Sequence, residues 1–240
     1  MRNTLLRYVE DILRKLPDPF CRLPDERRRA SFRREMIERI RRDGDSWTSG
    51  PKVFGIGLSK TGTTSLHVAL EQLGYNSYHW TSDRTVRILG WPEFFQGDAA
   101  TGTPCSAHFE VLYHTFDESK FIYTVRDIGS WKQSIINHTG LERPSEWNPN
   151  VYMQSDLRPE KFQSFTLRLQ EWKSLYCGHD SWEEAYRAFD SRVERFFENK
   201  PNDRFHKMNI TGNDGWESLG SFLGHEAPDR PFPHANPSDR

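Results

Sequence analysis

Between positions 59 and 65 the chain reads Ser59, Lys60, Thr61, Gly62, Thr63, Thr64, Ser65, which sets five hydroxyls and one fixed cation around a glycine. The chemistry these groups share is donation of hydrogen bonds and positive charge to an anion. Just upstream, Val53, Phe54, Ile56 and Leu58, punctuated by Gly55 and Gly57, have the composition of a buried strand ending in a tight turn. Downstream, Leu66, Ala69, Leu70 and Leu73 fall at i, i+3, i+4 and i+7, one apolar helix face, with Gly74 where a left-handed cap is expected. A strand, a glycine-rich loop and a helix in that order aim unpaired N–H groups and the positive end of the helix dipole into the loop. The segment therefore reads as a phosphate cradle.

A second signal lies in Lys120 to Asn137. Phe121 to Val125 is an apolar, β-rich run, and Arg126 stands at its C-terminal end, the edge at which open α/β sheets bind ligands. Asp127 is placed to cap the next helix, whose apolar face carries Trp131 and Ile135.

The first segment resembles the ATP-type P-loop, G-x-x-x-x-G-K-[ST], with an informative departure. Counting from Gly57, the second glycine is Gly62, and Thr63 follows it where that motif needs lysine; the lysine sits inside the loop as Lys60. Ser59 to Thr64 is similar to the 5′-phosphosulfate loop of sulfotransferases, commonly P-K-S-G-T-T. In that family an arginine at a strand end and a serine eight residues later grip the 3′-phosphate of the donor, and Arg126 and Ser134 keep this spacing. The closing run from Gly215 to Asn236 resembles the C-terminal segment of a divergent, mostly microbial branch that also occurs in parasitic worms. The likeness spans roughly residues 51 to 237.

The resemblance implies transfer of a sulfuryl group from 3′-phosphoadenosine 5′-phosphosulfate to a hydroxyl or amine of a small-molecule acceptor, with no metal. It assigns donor binding to Ser59 through Ser65, Arg126 and Ser134, and charge stabilisation at the bridging bond to Lys60. The general base is where the chain departs from its apparent relatives. They carry an aspartate two residues before the proline of the loop that precedes the next helix, and here that residue is Gly102. Asp98, four residues earlier, is the nearest carboxylate in the loop, and His79 is the alternative, with an ordinary pKa suited to base chemistry near neutrality. Two other functions use the same fold. A small-molecule kinase needs lysine after Gly62 and an acidic residue at a strand end for magnesium; a catalytically silent protein would keep the nucleotide site for binding alone.

These groups need a sheet to carry them, and the remaining chain supplies one. Asn76 to Trp80 reads as a short strand, 98–104 as a loop before a helix from about Ser106 to Thr115, and Arg204 to Ile210 as a third strand. Ser181 with Glu184 opens a helix, and Trp216, Leu219, Phe222 and Leu223 form one that stops at Gly224. The stripe Phe162, Phe165, Leu169, Trp172 and Tyr176 reads as a helix packed into the core, one edge of which could line an acceptor pocket. The expected architecture is an α/β domain of P-loop type over 51–240, a mostly parallel sheet flanked by helices, behind a helical extension over 1–50. That extension holds an amphipathic helix in 1–16 and an arginine-rich stretch in 22–43, which reads as a solvated face with pairs such as Glu35 and Arg39.

Composition narrows the class further. The 240 residues are 35% hydrophobic with a formal net charge of -1, which argues against nucleic acid as the main partner. No apolar run approaches a membrane span, the first sixteen residues are too charged for a signal peptide, and the nine histidines show no ligand spacing. Three cysteines without C-x-x-C spacing suit a reducing cytoplasm.

Overall fold

Apolar residues on adjacent strand positions point to opposite faces of a sheet, so a strand that is apolar throughout must be covered on both. The computed structural model, which describes residues 51–79, 81–82, 87–88, 91–147 and 171–235, builds its sheet in this way. The strands are β1 (Val53–Gly55), β2 (Ser77–His79), β3 (Thr81–Ser82), β4 (Arg87–Ile88), β5 (Ala99–Thr101), β6 (Lys120–Thr124) and β7 (Phe205–Met208), in the order β4-β3-β2-β5-β1-β6-β7. The five from β2 to β7 run parallel, and β3 and β4 add an antiparallel edge. The helices are α1 (Thr63–Gln72), α2 (Trp91–Gln96), α3 (Thr103–Thr115), α4 (Ile128–Thr139), α5 (Trp182–Phe197) and α6 (Trp216–Leu223), and residues 171–176 are also helical.

Phe54, Ala100, Phe121 and Tyr123 enter one buried cluster with residues of α2 to α5; their neighbours Val53, Ala99 and Ile122 enter the other, against α1 and α6. A mostly parallel sheet flanked by helices is the architecture expected. The helical extension expected over 1–50 and the residues Phe162, Phe165 and Leu169 lie outside the described residues. One expectation is corrected: Ala99–Thr101, read as loop, is a strand between β1 and β2. Its residues are small and lack a β-rich run, and the neighbouring strand packs closely against it. A Cβ on Gly55 of the neighbouring strand would already stand 2.8 Å from Thr101 Cγ2.

Gly57 shows the same limit closer to the loop. A Cβ there would overlap Thr124 Oγ1 and come within 2.5 Å of Thr61 Oγ1. Overpacking of this kind costs roughly 1–3 kcal/mol. Gly57→Ala is expected to lower the melting temperature by about 3–10 °C, measured by calorimetry; an unchanged transition would show that the loop has room to spare.

Lys52, one residue before β1, is buried at 2% exposure. Its Nζ donates to Phe95 O at 3.1 Å and Gly97 O at 2.5 Å, carbonyls at the C-terminal end of α2. Burial pushes its pKa down from 10.5 to about 8, partly opposed by the Asp98 carboxylate. Between those two values the unfolded chain holds a proton that the folded chain has released, so the contribution of Lys52 to stability rises with pH in this window. Relative to Lys52→Met, the wild type is expected to gain roughly 1–3 kcal/mol of unfolding free energy between pH 8 and pH 10. Urea titrations at stepped pH measure the gap, and parallel curves for the two proteins would refute the shift.

Candidate functional site

The loop between β1 and α1 is held from beneath by its own threonine and by neighbouring elements. Thr61 Oγ1 donates to Leu58 O at 2.7 Å and lies 2.7 Å from Thr124 Oγ1, while Ser106 Oγ donates to Gly57 O at 2.6 Å. These bonds fold the loop back over the C-terminal edge of the sheet. They also leave Lys60 in a left-handed conformation, φ 72°, which costs a residue with a side chain of order 1–3 kcal/mol and persists only where the surroundings over-determine it. Gly62 precedes α1 with no side-chain cap, so the first-turn N–H groups of the helix face the loop.

A cavity of about 220 Å³ opens in front of this turn. Lys60, Gly62, Thr63, Thr64 and Ser65 form one wall, Arg126 and Ser134 a second, and Ile210, Thr211, His234 and Ala235 a third. Among the described lining residues there is no carboxylate, and Lys60, Arg126 and the α1 terminus give the space a positive potential. Arg126 follows β6 and reaches back, with Nη1 donating to Lys60 O at 3.2 Å. Asp127 beside it is turned to α4, where its carboxylate accepts from the Ser130 N–H and hydroxyl, both at 2.8 Å; these bonds hold it below the usual carboxylate range. Ser134, two turns into α4, is 5% exposed, and its hydroxyl has no hydrogen-bond partner.

Seven of the residues expected from sequence thus converge on one space. Ser59 and Thr61 stand behind it instead. The Thr61 hydroxyl is engaged within the loop, and the Ser59 side chain lies 3.4 Å from Thr103 Oγ1. The third wall was missed. Ile210 and Thr211 follow the short β7, and Ala235 N donates to Ser65 Oγ at 3.1 Å across a separation of 170 residues. The C-terminal resemblance marked that segment as distinctive without saying where it lies.

The two base candidates separate cleanly. Asp98 precedes β5 at the N-terminal edge of the sheet, exposed, with its carboxylate accepting from Asn76 N at 3.1 Å. The phosphate loop lies at the opposite edge, and at 3.3 Å per residue the strand puts roughly 10–13 Å between them. Asp98, expected to curl into the site, is thus set about one strand length from the loop. His79 ends β2 at the same edge as the loop: Nε2 lies 3.1 Å from Thr64 Oγ1 and Nδ1 2.7 Å from Thr101 Oγ1. Thr101 is its register partner across the parallel pair, so Gly102, where the resemblance led us to expect aspartate, is next to it. Gly102 has φ 101°, a backbone that an aspartate would adopt only under strain. His79 also stacks on His67, centroids 5.4 Å apart, and His67 Nδ1 lies 2.9 Å from Ser77 Oγ. No cluster able to hold a metal occurs among the described residues.

The arrangement can bind an extended polyanion with a basic side chain at its border, and the comparisons agree with that chemistry. Over 218 aligned residues the chain is 26% identical to "Ava biosynthesis cluster protein M" of Aspergillus versicolor, covering 78% of this chain and 82% of that one. The family described as "Sulfotransferase domain" matches over residues 52–97 and 83–240. The phosphate loop, Arg126, Ser134 and the C-terminal segment all fall within those limits, and the chain belongs to the sulfotransferase-domain family.

Proposed function

We propose that the protein transfers a sulfuryl group from 3′-phosphoadenosine 5′-phosphosulfate to a hydroxyl or amine of a small-molecule acceptor. The observation that carries this reading is Ser134. Its hydroxyl is buried, unpartnered and part of the cavity that also holds Arg126 and the phosphate loop. An orphaned buried donor costs roughly 1–3 kcal/mol, and a phosphate oxygen accepting from it and from Arg126 removes that cost. The loop at the other wall takes a second phosphate, so the ligand carries one at each end. A kinase reading has less support, because Thr63 stands where lysine is needed and Arg126, a cation, follows β6.

Bound, the donor supplies sulfur joined to a phosphate leaving group. Lys60 and the first-turn N–H groups of α1 offset the charge that grows on that phosphate as the bridging S–O bond breaks. Arg126 and Ser134 fix the 3′-phosphate and with it the register of the nucleotide. His79 accepts the proton from the acceptor oxygen or nitrogen as the new bond to sulfur forms. No metal takes part in this scheme. A relative named for a biosynthesis cluster supports a small-molecule acceptor. Cys105 and Cys177 are free, which suits a cytoplasmic setting.

Adenosine 3′,5′-bisphosphate is expected to raise the melting temperature, whereas ATP with magnesium does not. Arg126→Ala and Ser134→Ala are each expected to cut the preference for the bisphosphate over adenosine 5′-phosphate about tenfold, read by calorimetric titration. Equal stabilisation by ATP moves the case to a kinase. In an acceptor screen with labelled donor at saturation, His79→Gln is expected to lose roughly a hundredfold in turnover with bisphosphate affinity kept. Asp98→Asn is expected to keep wild-type turnover, and the reverse pattern would return the base to Asp98.

A further inference from the structure

Both cationic positions of the site share a feature that the proposed chemistry does not use: the polar tips of buried aromatic rings hold the backbone of Arg126 and of Ser59, the residue before Lys60. Ser59, directly before Lys60, donates its N–H to Tyr176 Oη at 3.0 Å, and its carbonyl accepts from Trp131 Nε1 at 2.8 Å. Arg126 donates its N–H to Tyr186 Oη at 3.1 Å, and the same hydroxyl donates back to the Arg126 carbonyl at 2.8 Å. Burial holds the Tyr186 phenol above its ordinary pKa, so it keeps the proton it donates. The rings form one body. Trp131 lies 4.8 Å from Tyr186 and 6.2 Å from Trp182, and Tyr176 lies 5.7 Å from Trp182, centroid to centroid. Trp131, Tyr176 and Trp182 are fully buried and Tyr186 nearly so.

We infer that this cluster, drawn from α4, the 171–176 helix and α5, is the positioning device of the donor site, with Tyr176 setting the phosphate loop and Tyr186 setting Arg126. The inference rests on the donor reading above and deepens it. A loop peptide ordinarily turns its N–H and C=O to water and keeps its freedom of rotation. Here both groups of Ser59 are fixed by rings that cannot move without disturbing a packed core, so the peptide entering Lys60 has one orientation. That constraint is what a left-handed Lys60 requires of its surroundings. Tyr186, bonding on both sides of the Arg126 Cα, fixes where the guanidinium starts. Because the rings touch, the two anchors keep a constant separation, and the site reads the distance between two phosphates as well as their charge. Tyr176 and Tyr186 are positioning residues and act through Lys60 and Arg126.

The test uses the full chain and two probes, adenosine 3′,5′-bisphosphate and adenosine 5′-phosphate, titrated calorimetrically. Tyr176→Phe keeps the ring and removes the acceptor for Ser59 N–H; it is expected to weaken both nucleotides together, about tenfold, leaving their ratio intact. Tyr186→Phe is expected to weaken the bisphosphate alone, so the ratio falls about tenfold. If both variants keep both affinities, or both lose them in parallel with their melting temperatures, the cluster is core filling and the inference fails. Trp131→Phe removes the donor to the Ser59 carbonyl and repeats the first arm if the Tyr176→Phe chain does not fold. Should the unmodified protein fail to prefer the bisphosphate, the donor reading falls, and amide hydrogen exchange without ligand decides the positioning role. Faster exchange confined to Ser59 in one variant and Arg126 in the other supports it, whereas uniform or unchanged exchange overturns it.

Discussion

Everything in this site depends on a backbone that runs the wrong way for a lysine. Lys60 sits at positive φ because the chain must leave β1, fold over the sheet edge and start α1 with its N–H groups facing back into the turn. Such a conformation is held only by neighbours. Those neighbours are the Thr61–Thr124 hydroxyl pair, Ser106 on Gly57, and the aromatic tips on Ser59. The result is a concave run of donors that exists before any ligand arrives, which is what electrostatic stabilisation in a site of this kind requires.

Packing reaches the site through small residues. The strands beside the loop approach so closely that Gly55 and Gly57 have no space for a Cβ and β5 is built of alanine, alanine and threonine. Bulk is displaced outward, to the rings of Phe54, Phe121 and Tyr123 on one face and to Trp131, Trp182 and Tyr186 along α4 and α5. The aromatic content of the chain therefore has a mechanical role. It fills the large face of the sheet, and its few polar atoms fasten the loops at the sheet edge.

The proposed proton acceptor, His79, illustrates how a sheet can bring a side chain to one edge from either of two neighbouring strands. Gly102 leaves the end of β5 without a carboxylate, and its positive φ makes glycine the fitting residue there. The adjacent strand, in register at His79 and Thr101, brings an imidazole to the same edge. Parallel pairing equates the two positions in space although they lie more than twenty residues apart in the chain.

The order strand, glycine-rich loop, helix was legible because each part is local: periodicity marks α1, and hydroxyls with Lys60 and Gly62 mark the loop. The arginine at the end of β6 was legible for the same reason, and Ser134 only through a family spacing. Asp98 and His79 could not be told apart in the sequence, since both flank short, weakly patterned segments. Strand direction separates them, placing one at each edge of the sheet. Nor could β5 be read, because Ala99, Ala100 and Thr101 become strand through partners on both sides. The third wall of the cavity, with Ala235 on Ser65, and the rings on Ser59 and Arg126 arise between residues 60 to 170 positions apart. The amino-acid order thus determined which groups can bind an anion, and tertiary packing decided which of them meet, because hydrogen bonds and ring contacts at such separations leave no periodic trace in the chain.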